Sequence, residues 1–561
     1  MYSKDELYCS GLSYFRGERG SLMEQERGTT IAVNQLGYRS MDRKIAVITG
    51  EGGVFRLINP DTGEAVWEGV TGTAWEDASS GLTVCKADFS GWEQAGVYRL
   101  ETNDGQSSES FVIGEGVYDA AHQALLKAFY FFRCGMKLEE QYAGDWQHGA
   151  CHLTPAIVYG DESRRVDAWG GWHDAGDYGK YVGPGAKAVA DLLLAYECYP
   201  AAFAAAVPLP ETDGVMPDVL HECRYELEWI QRMLDTESGG VFHKLTTLRF
   251  PAPDTMPEED NEELYVSPVS AAATGCFAGI MAMAARVYER FDAKFASECK
   301  IAAERAWDWL VRHPEVPGFR NPPEIVTGEY GDEQDADERY WAAAELYRMT
   351  GEEQYHEAFL QLAELAFDKN ELGWADMGGY GTISYLLSER AKDERLTERL
   401  RAGLLSHAEQ LAAVSRVDGF GISLRPDQYK WGSNMLVLNH SMLLLLADRV
   451  AGTTAYESLV LNHIHYLFGM NAVGISYVTG CGSRPVQHPH HRPSEGDDVD
   501  EPVPGLVSGG PNIGLQDEYA REHLKGKAPA AAFADVMESY STNEVTIYWN
   551  SPAVFVLSHF V

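Results

Sequence analysis

Ser110–Phe111–Val112–Ile113–Gly114–Glu115–Gly116–Val117–Tyr118–Asp119–Ala120–Ala121–His122–Gln123–Ala124–Leu125–Leu126 is the stretch in which the chain changes its apolar period. Upstream, short runs rich in β-branched and aromatic residues alternate with turn chemistry. They are Lys44–Ile48, Val54–Ile58, Glu64–Trp67, Val97–Leu100 and Ser110–Ile113, with Pro60–Gly63 and Asn103–Gly105 as hairpin signals between them. Several strands between residues 29 and 115 predict a small β-sandwich. Downstream the period lengthens to that of helices. Ala120–Arg133, Ala186–Cys198, Asp218–Met233, Ala271–Arg290, Ala302–Val311, Arg339–Met349, Leu396–Val414 and Asn434–Val450 are the clearest. The helical part runs from 116 to 561, its helices joined by uneven Gly- and Pro-rich loops where a site would be built. Residues 1–28 read as an N-terminal extension.

The 561 residues carry 45 basic and 84 acidic side chains, a formal charge of −39. Such a surface repels phosphate backbones and anionic lipid, so neither nucleic acid nor membrane is an expected partner. Neutral sugars meet no such barrier, and cationic amino sugars would be attracted. The first thirty residues contain no apolar core of a secretory signal, which points to the cytoplasm. The nine cysteines form no compact framework and suit reduced thiols or metal ligands.

Three stretches can carry chemistry. In Gly170–Gly171–Trp172–His173–Asp174–Ala175–Gly176–Asp177–Tyr178–Gly179, dense glycines let the backbone bend around two carboxylates beside aromatic rings. One carboxylate can take a proton from water while the other orients it; Asp side chains bonded to local amides in a turn are the plainer reading. In Phe533–Ser551, Glu544 opens an apolar, aromatic segment, where desolvation suits a proton donor. The alternative there is a helix cap, with Ser541 as cap residue and Glu544 three later. In Ser476–Arg492, imidazole and guanidinium groups on a Gly-rich loop could hydrogen-bond sugar hydroxyls. His488, His490 and His491 could instead hold a metal, or the loop could be solvated surface.

Together these stretches resemble glycoside hydrolase family 9, the cellulase family with an (α/α)6-barrel catalytic domain. Ser476, Val478, Thr479, Gly482, Arg484, Pro489, His490 and Arg492 fill its histidine-containing pattern. Phe533, Asp535, Tyr540, Glu544, Thr546, Asn550 and Ser551 fill its second pattern, and the Asp174–Asp177 loop is its third hallmark. Asn34–Gln35–Leu36–Gly37–Tyr38 resembles the start of the immunoglobulin-like domain that precedes the barrel in one branch. Trp431–Asn434 and Tyr466–Asn471 add further likeness.

The resemblance implies an inverting hydrolase of β-1,4-glucosidic bonds in cellulose-type glucans or cello-oligosaccharides, an endoglucanase or cellodextrinase. Asp177 would be its base, Asp174 the second holder of the water, and Glu544 the acid. His490 and Arg492 would contact the glucan. Inversion needs carboxyl groups about 6.5–9.5 Å apart to admit water. The resemblance also implies a structural zinc held by Cys134, Cys151, His152 and His173. A closed Cys₂His₂ shell has no open position for substrate, so this zinc would clamp the loop through His173. Calcium occurs in the family too; the acidic run Pro257–Glu263 is a candidate contributor but reads as solvated surface, and no ligands are assigned. An exo-β-glucosaminidase acting on chitosan oligomers is a second enzymatic reading on a similar scaffold. A non-catalytic carbohydrate-binding protein would require a lost acid or base, and neither is lost.

Overall fold

The computed structural model describes residues 31–561, so the extension assigned to residues 1–28 lies outside the described residues. Nine strands form two sheets. One orders β1 (Ile31–Ala32), β3 (Ile45–Thr49), β7 (Thr83–Asp88) and β6 (Trp75–Glu76); the other orders β2 (Gly37–Tyr38), β9 (Phe111–Ile113), β8 (Gly96–Thr102), β4 (Val54–Ile58) and β5 (Ala65–Val70). Alternation decides which side chains enter the core. Phe55 and Leu57 of β4 point in, while Arg56 points out and pairs with Glu68 directly across on β5 at 2.9 Å. Strand β3 departs from this pattern because both its faces are covered. Ala46 and Ile48 enter the sandwich core, whereas Ile45 and Val47 join the core of the helical domain.

Asn34 and Gln35 fasten the same junction. The Asn34 amide lies 3.0 Å from His465 Nδ1, and Gln35 donates to the Gly474 carbonyl (3.1 Å) while accepting from the Arg484 amide (2.8 Å).

Among the described residues, twelve helices have ten residues or more. In chain order they are α1 (Asp119–Phe131), α2 (Val182–Cys198), α3 (Asp218–Arg232), α4 (Ala271–Tyr288), α5 (Ala293–Arg312), α6 (Ala336–Thr350), α7 (Glu353–Leu362), α8 (Gly378–Leu387), α9 (Glu394–Val417), α10 (Ser433–Ala451), α11 (Glu457–Leu467) and α12 (Ile547–Ser558). The even-numbered helices pack α2 on α4, α4 on α6, α6 on α8, α8 on α10, α10 on α12 and α12 back on α2. That closed inner ring, with the odd-numbered helices outside it, is the expected (α/α)6 barrel behind an immunoglobulin-like domain. Position explains composition: α4 is long and apolar enough to cross a membrane by length and composition, yet it is an inner helix with 94% of that span buried.

The sequence reading contained no strands after residue 113. The structure has a further five-stranded sheet, ordered β11 (Asp161–Val166), β10 (Ala156–Val158), β14 (Tyr265–Val266), β13 (Lys244–Thr246) and β12 (Lys180–Tyr181). Strand β12 begins three residues after Asp177, so this sheet anchors the exit of the aspartate loop.

Candidate active site

The loop before α2 is folded by its glycines. Gly171 takes φ +73°, and its carbonyl accepts from the Cys134 amide (2.7 Å) while His173 donates to the Phe132 carbonyl (2.7 Å). The Asp174 amide closes the turn onto the Gly179 carbonyl, and its own carbonyl accepts from Ile547 at the start of α12, both at 2.9 Å. Gly176 has no room for a side chain: a Cβ there would lie 2.1 Å from the His490 carbonyl oxygen. Because the obstacle is backbone, Gly176→Ala must displace one loop from the other. A 1 Å displacement at a reacting centre costs about 100-fold, so kcat should fall by roughly that factor with the melting temperature little changed. Steady-state kinetics beside calorimetry checks this, and a wild-type kcat would refute it.

Asp174 is 1% exposed. Its Oδ2 accepts from the Tyr330 hydroxyl at 2.5 Å, that hydroxyl lies 2.9 Å from the Tyr548 hydroxyl, and Oδ1 has no protein partner. Burial pushes the Asp174 carboxyl well above the carboxylate range; the Tyr330 bond opposes this, and the charges of Asp177 and Glu544 add to it. Tyr330 holds φ +46°, a conformation that costs a non-glycine residue about 1–3 kcal/mol. Asp177 Oδ2 accepts from the Gly179 amide at 2.9 Å. The turn reading of this loop is therefore correct for one oxygen, and it leaves the other free.

Glu544 follows the short helical turn Tyr540–Asn543 in extended conformation, φ −65° and ψ 162°. It caps nothing. The cap of α12 is Thr546, whose hydroxyl accepts from the Trp549 amide at 3.2 Å. Burial and then the Asp177 charge push the Glu544 carboxyl up to about 8, against the pull of Arg492 and of a hydrogen bond from Trp431.

The histidine loop is laced to this segment. Asp535 accepts from the Gln487 and His488 amides (2.8 and 2.9 Å), and the Asn543 side chain donates to the His488 carbonyl (2.6 Å). His490 Nδ1 donates to the Met537 carbonyl (2.8 Å), leaving Nε2 as an acceptor; burial lowers its pKa. His491 instead turns to Ser494 (2.9 Å), so the three imidazoles make no common metal site. Arg492 is 5% exposed, and its guanidinium donates to the Gly176 (2.6 Å) and Pro251 (3.1 Å) carbonyls. It lies beneath the aspartate loop.

Beside that loop the ligand atoms of Cys134, Cys151, His152 and His173 lie within 4.8 Å of one another, all on buried residues. A tetrahedral zinc with bonds of about 2.0–2.3 Å spaces its ligands roughly 3.3–3.8 Å apart, and Cys151 Sγ is 3.8 Å from His173 Nε2. His152 Nδ1 is buried without a partner, while its Nε2 faces Asp260 Oδ2 at 3.3 Å, the carboxylate support that a metal-binding histidine uses. The Pro257–Glu263 run is thus not simply solvated. Asp260 is 8% exposed against His152, and Glu258 accepts from the Gly149 amide at 2.8 Å.

The catalytic-domain pattern described as Glycosyl hydrolase family 9 matches residues 118–557, and the Cellulase N-terminal ig-like domain matches 26–107. The chain belongs to glycosyl hydrolase family 9. It is 38% identical over 547 residues to a cellodextrinase of Butyrivibrio fibrisolvens, covering 94% of this chain and 99% of that one. The structure of AaCel9A in complex with cellobiose-like isofagomine superposes with a TM-score of 0.89 at 44% identity, covering 95% and 99% of the two chains. A Zn-binding triple mutant of the family 9 endoglucanase J30 superposes at 0.87 with 36% identity, covering 93% and 99%. This family 9 enzyme is accordingly a glycoside hydrolase of the endoglucanase and cellodextrinase kind.

The structure brings Asp174, Asp177, Glu544, His490 and Arg492 together, with the four cysteine and histidine residues behind them. Sequence reasoning missed Tyr330, Tyr548 and Asp260. Tyr330 lies outside every motif; Tyr548 and Asp260 fall inside the Phe533–Ser551 and Pro257–Glu263 stretches, yet each of the three reaches its partner only through the fold.

Proposed function

We propose that this family 9 enzyme hydrolyses β-1,4-glucan or cello-oligosaccharide chains by inversion. The observation that carries this is the buried Glu544 carboxyl, raised to about 8 and electrostatically coupled to Asp177 across the junction of two loops. It keeps its proton at neutral pH and gives it to the leaving glycosidic oxygen as the C1–O bond breaks. Asp177 takes a proton from the water that attacks C1, and the unpartnered Oδ1 of Asp174 helps to hold that water. Exchange with solvent then returns one proton to Glu544 and removes one from Asp177. His490 offers Nε2 to a sugar hydroxyl. Arg492 acts as a positioning residue, since its guanidinium holds the backbone of Gly176 and Pro251. Trp431, 40% exposed beside Tyr540, supplies a flat face for a pyranose ring.

Inversion predicts that the first reducing end released from cellopentaose is the α-anomer, seen by proton NMR before mutarotation. Initial β-anomer would reject the mechanism. The alkaline limb of kcat/KM should fall near pH 8, because activity is lost as Glu544 gives up its proton on raising the pH through its pKa. Trp431→Phe removes the N–H that favours the carboxylate, so its limb should move to higher pH. A limb that stays in place would assign it to another group.

The donor set at Cys134, Cys151, His152 and His173 fits zinc, and the Zn-binding triple mutant of the family 9 endoglucanase J30 supports it. Bound there, zinc supplies a rigid cross-link behind Asp174.

A further inference from the structure

The residues that meet at the active face all lie where inner helices begin: Asp177 before α2, Tyr330 before α6, Trp431 before α10 and Glu544 before α12. The inner helices therefore run parallel and end together on the opposite face. There an open cavity of about 560 Å³ is lined by Arg286 of α4, Arg290 just beyond it, Arg348 of α6, Arg449 of α10 and Glu197 of α2. Cations at converging helix C-termini are ordinary, since each terminus carries about half a negative charge. Their pairing is not.

Arg286 is fully committed, to Glu197 at 2.6 Å and Glu345 at 2.9 Å, and Arg348 reaches the same Glu197 at 3.4 Å. Arg290 bonds only the Tyr196 hydroxyl and lies over the Tyr196 and Phe291 rings at 5.3 and 4.6 Å. Arg449 reaches only the Cys198 carbonyl, at 3.4 Å. Among the described residues neither of these two has a carboxylate within 4.0 Å, although the chain carries 84 acids. The other lining acid, Glu289, makes no ion pair among the described residues, so the lining sets four guanidinium groups against two carboxylates. Lys392 sits close enough to Arg348 for that charge, after burial, to lower its pKa. A positive mouth thus opens on a molecule of strongly negative net charge.

We infer that this cavity is an anion-binding site, remote from the catalytic loops, for a small phosphate-bearing molecule of sugar size. Guanidinium forks match tetrahedral oxyanions in two-bond geometry; Arg290 and Arg449 present two such forks around one space, with Arg348, held by Glu197 at 3.4 Å, beside them. The volume accommodates a hexose ring together with its phosphate, within the range of small-molecule sites. Tyr196 and Glu197 supply hydroxyl-binding groups at its wall.

The test uses the full-length enzyme, with inorganic phosphate and glucose 6-phosphate as probes and glucose as control. Isothermal titration should show saturable binding of glucose 6-phosphate, weaker binding of phosphate and none of glucose. The double variant Arg290→Gln/Arg449→Gln should lose at least tenfold in affinity while its kcat on cellotetraose, which also reports folding, stays at the wild-type level. Binding of phosphate alone, equal to that of glucose 6-phosphate, would overturn the sugar part of the assignment. No saturable binding, or undiminished binding in a folded double variant, would overturn the site.

Discussion

Glu544→Gln removes the proton that the departing sugar needs, and turnover of cellotetraose should fall by roughly 1,000-fold or more. Glutamine keeps the size and the hydrogen bond from Trp431, so cellotetraose should still bind with an affinity within a few-fold of wild type. A substrate with a strongly acidic leaving group, such as 2,4-dinitrophenyl cellobioside, needs little protonation and should lose far less. The contrast between the two substrates separates a lost acid from a misfolded site. Unchanged turnover of cellotetraose would remove Glu544 from the mechanism.

The second large effect concerns the metal. Elemental analysis of the purified enzyme should return one zinc per chain, and the double variant Cys134→Ser/Cys151→Ser should return none. Structural zinc contributes on the order of 10 kcal/mol where it completes a fold. Here the surrounding barrel bears part of the load, so a fall in melting temperature of about 10 °C is expected. Activity should fall with it, since His173 adjoins Asp174. Unaltered zinc in the cysteine variant would exclude the proposed ligands.

Much of this architecture was legible because long helices carry a period. The eight clearest helical runs fall on α1–α6, α9 and α10, with ends differing by a few residues in most of them. Helix α8 was hidden by Gly378, Gly379 and Gly381, which local propensity counts against a helix. Packing demands them: a Cβ on Gly378 would sit 2.0 Å from the Asp368 carbonyl oxygen, and one on Gly381 2.5 Å from the Tyr340 ring. The small sheet behind the aspartate loop was illegible because its strands are two to six residues long and, the neighbours Ala156–Val158 and Asp161–Val166 apart, lie far from one another in the chain. At the site, the motifs disclosed the carboxylates but not their supports. Tyr330 lies 156 residues from Asp174, and no local pattern announces a hydroxyl that arrives from another loop.

Strand β3 has a consequence for anyone dissecting the molecule. Its two faces belong to two cores, so the sandwich is not a tethered accessory that can be trimmed away. Cutting near residue 115 would strip one wall from the barrel and leave Leu36-side apolar surface on each fragment. Shuffling this front domain between relatives is therefore a problem of matching an interior, not of choosing a linker.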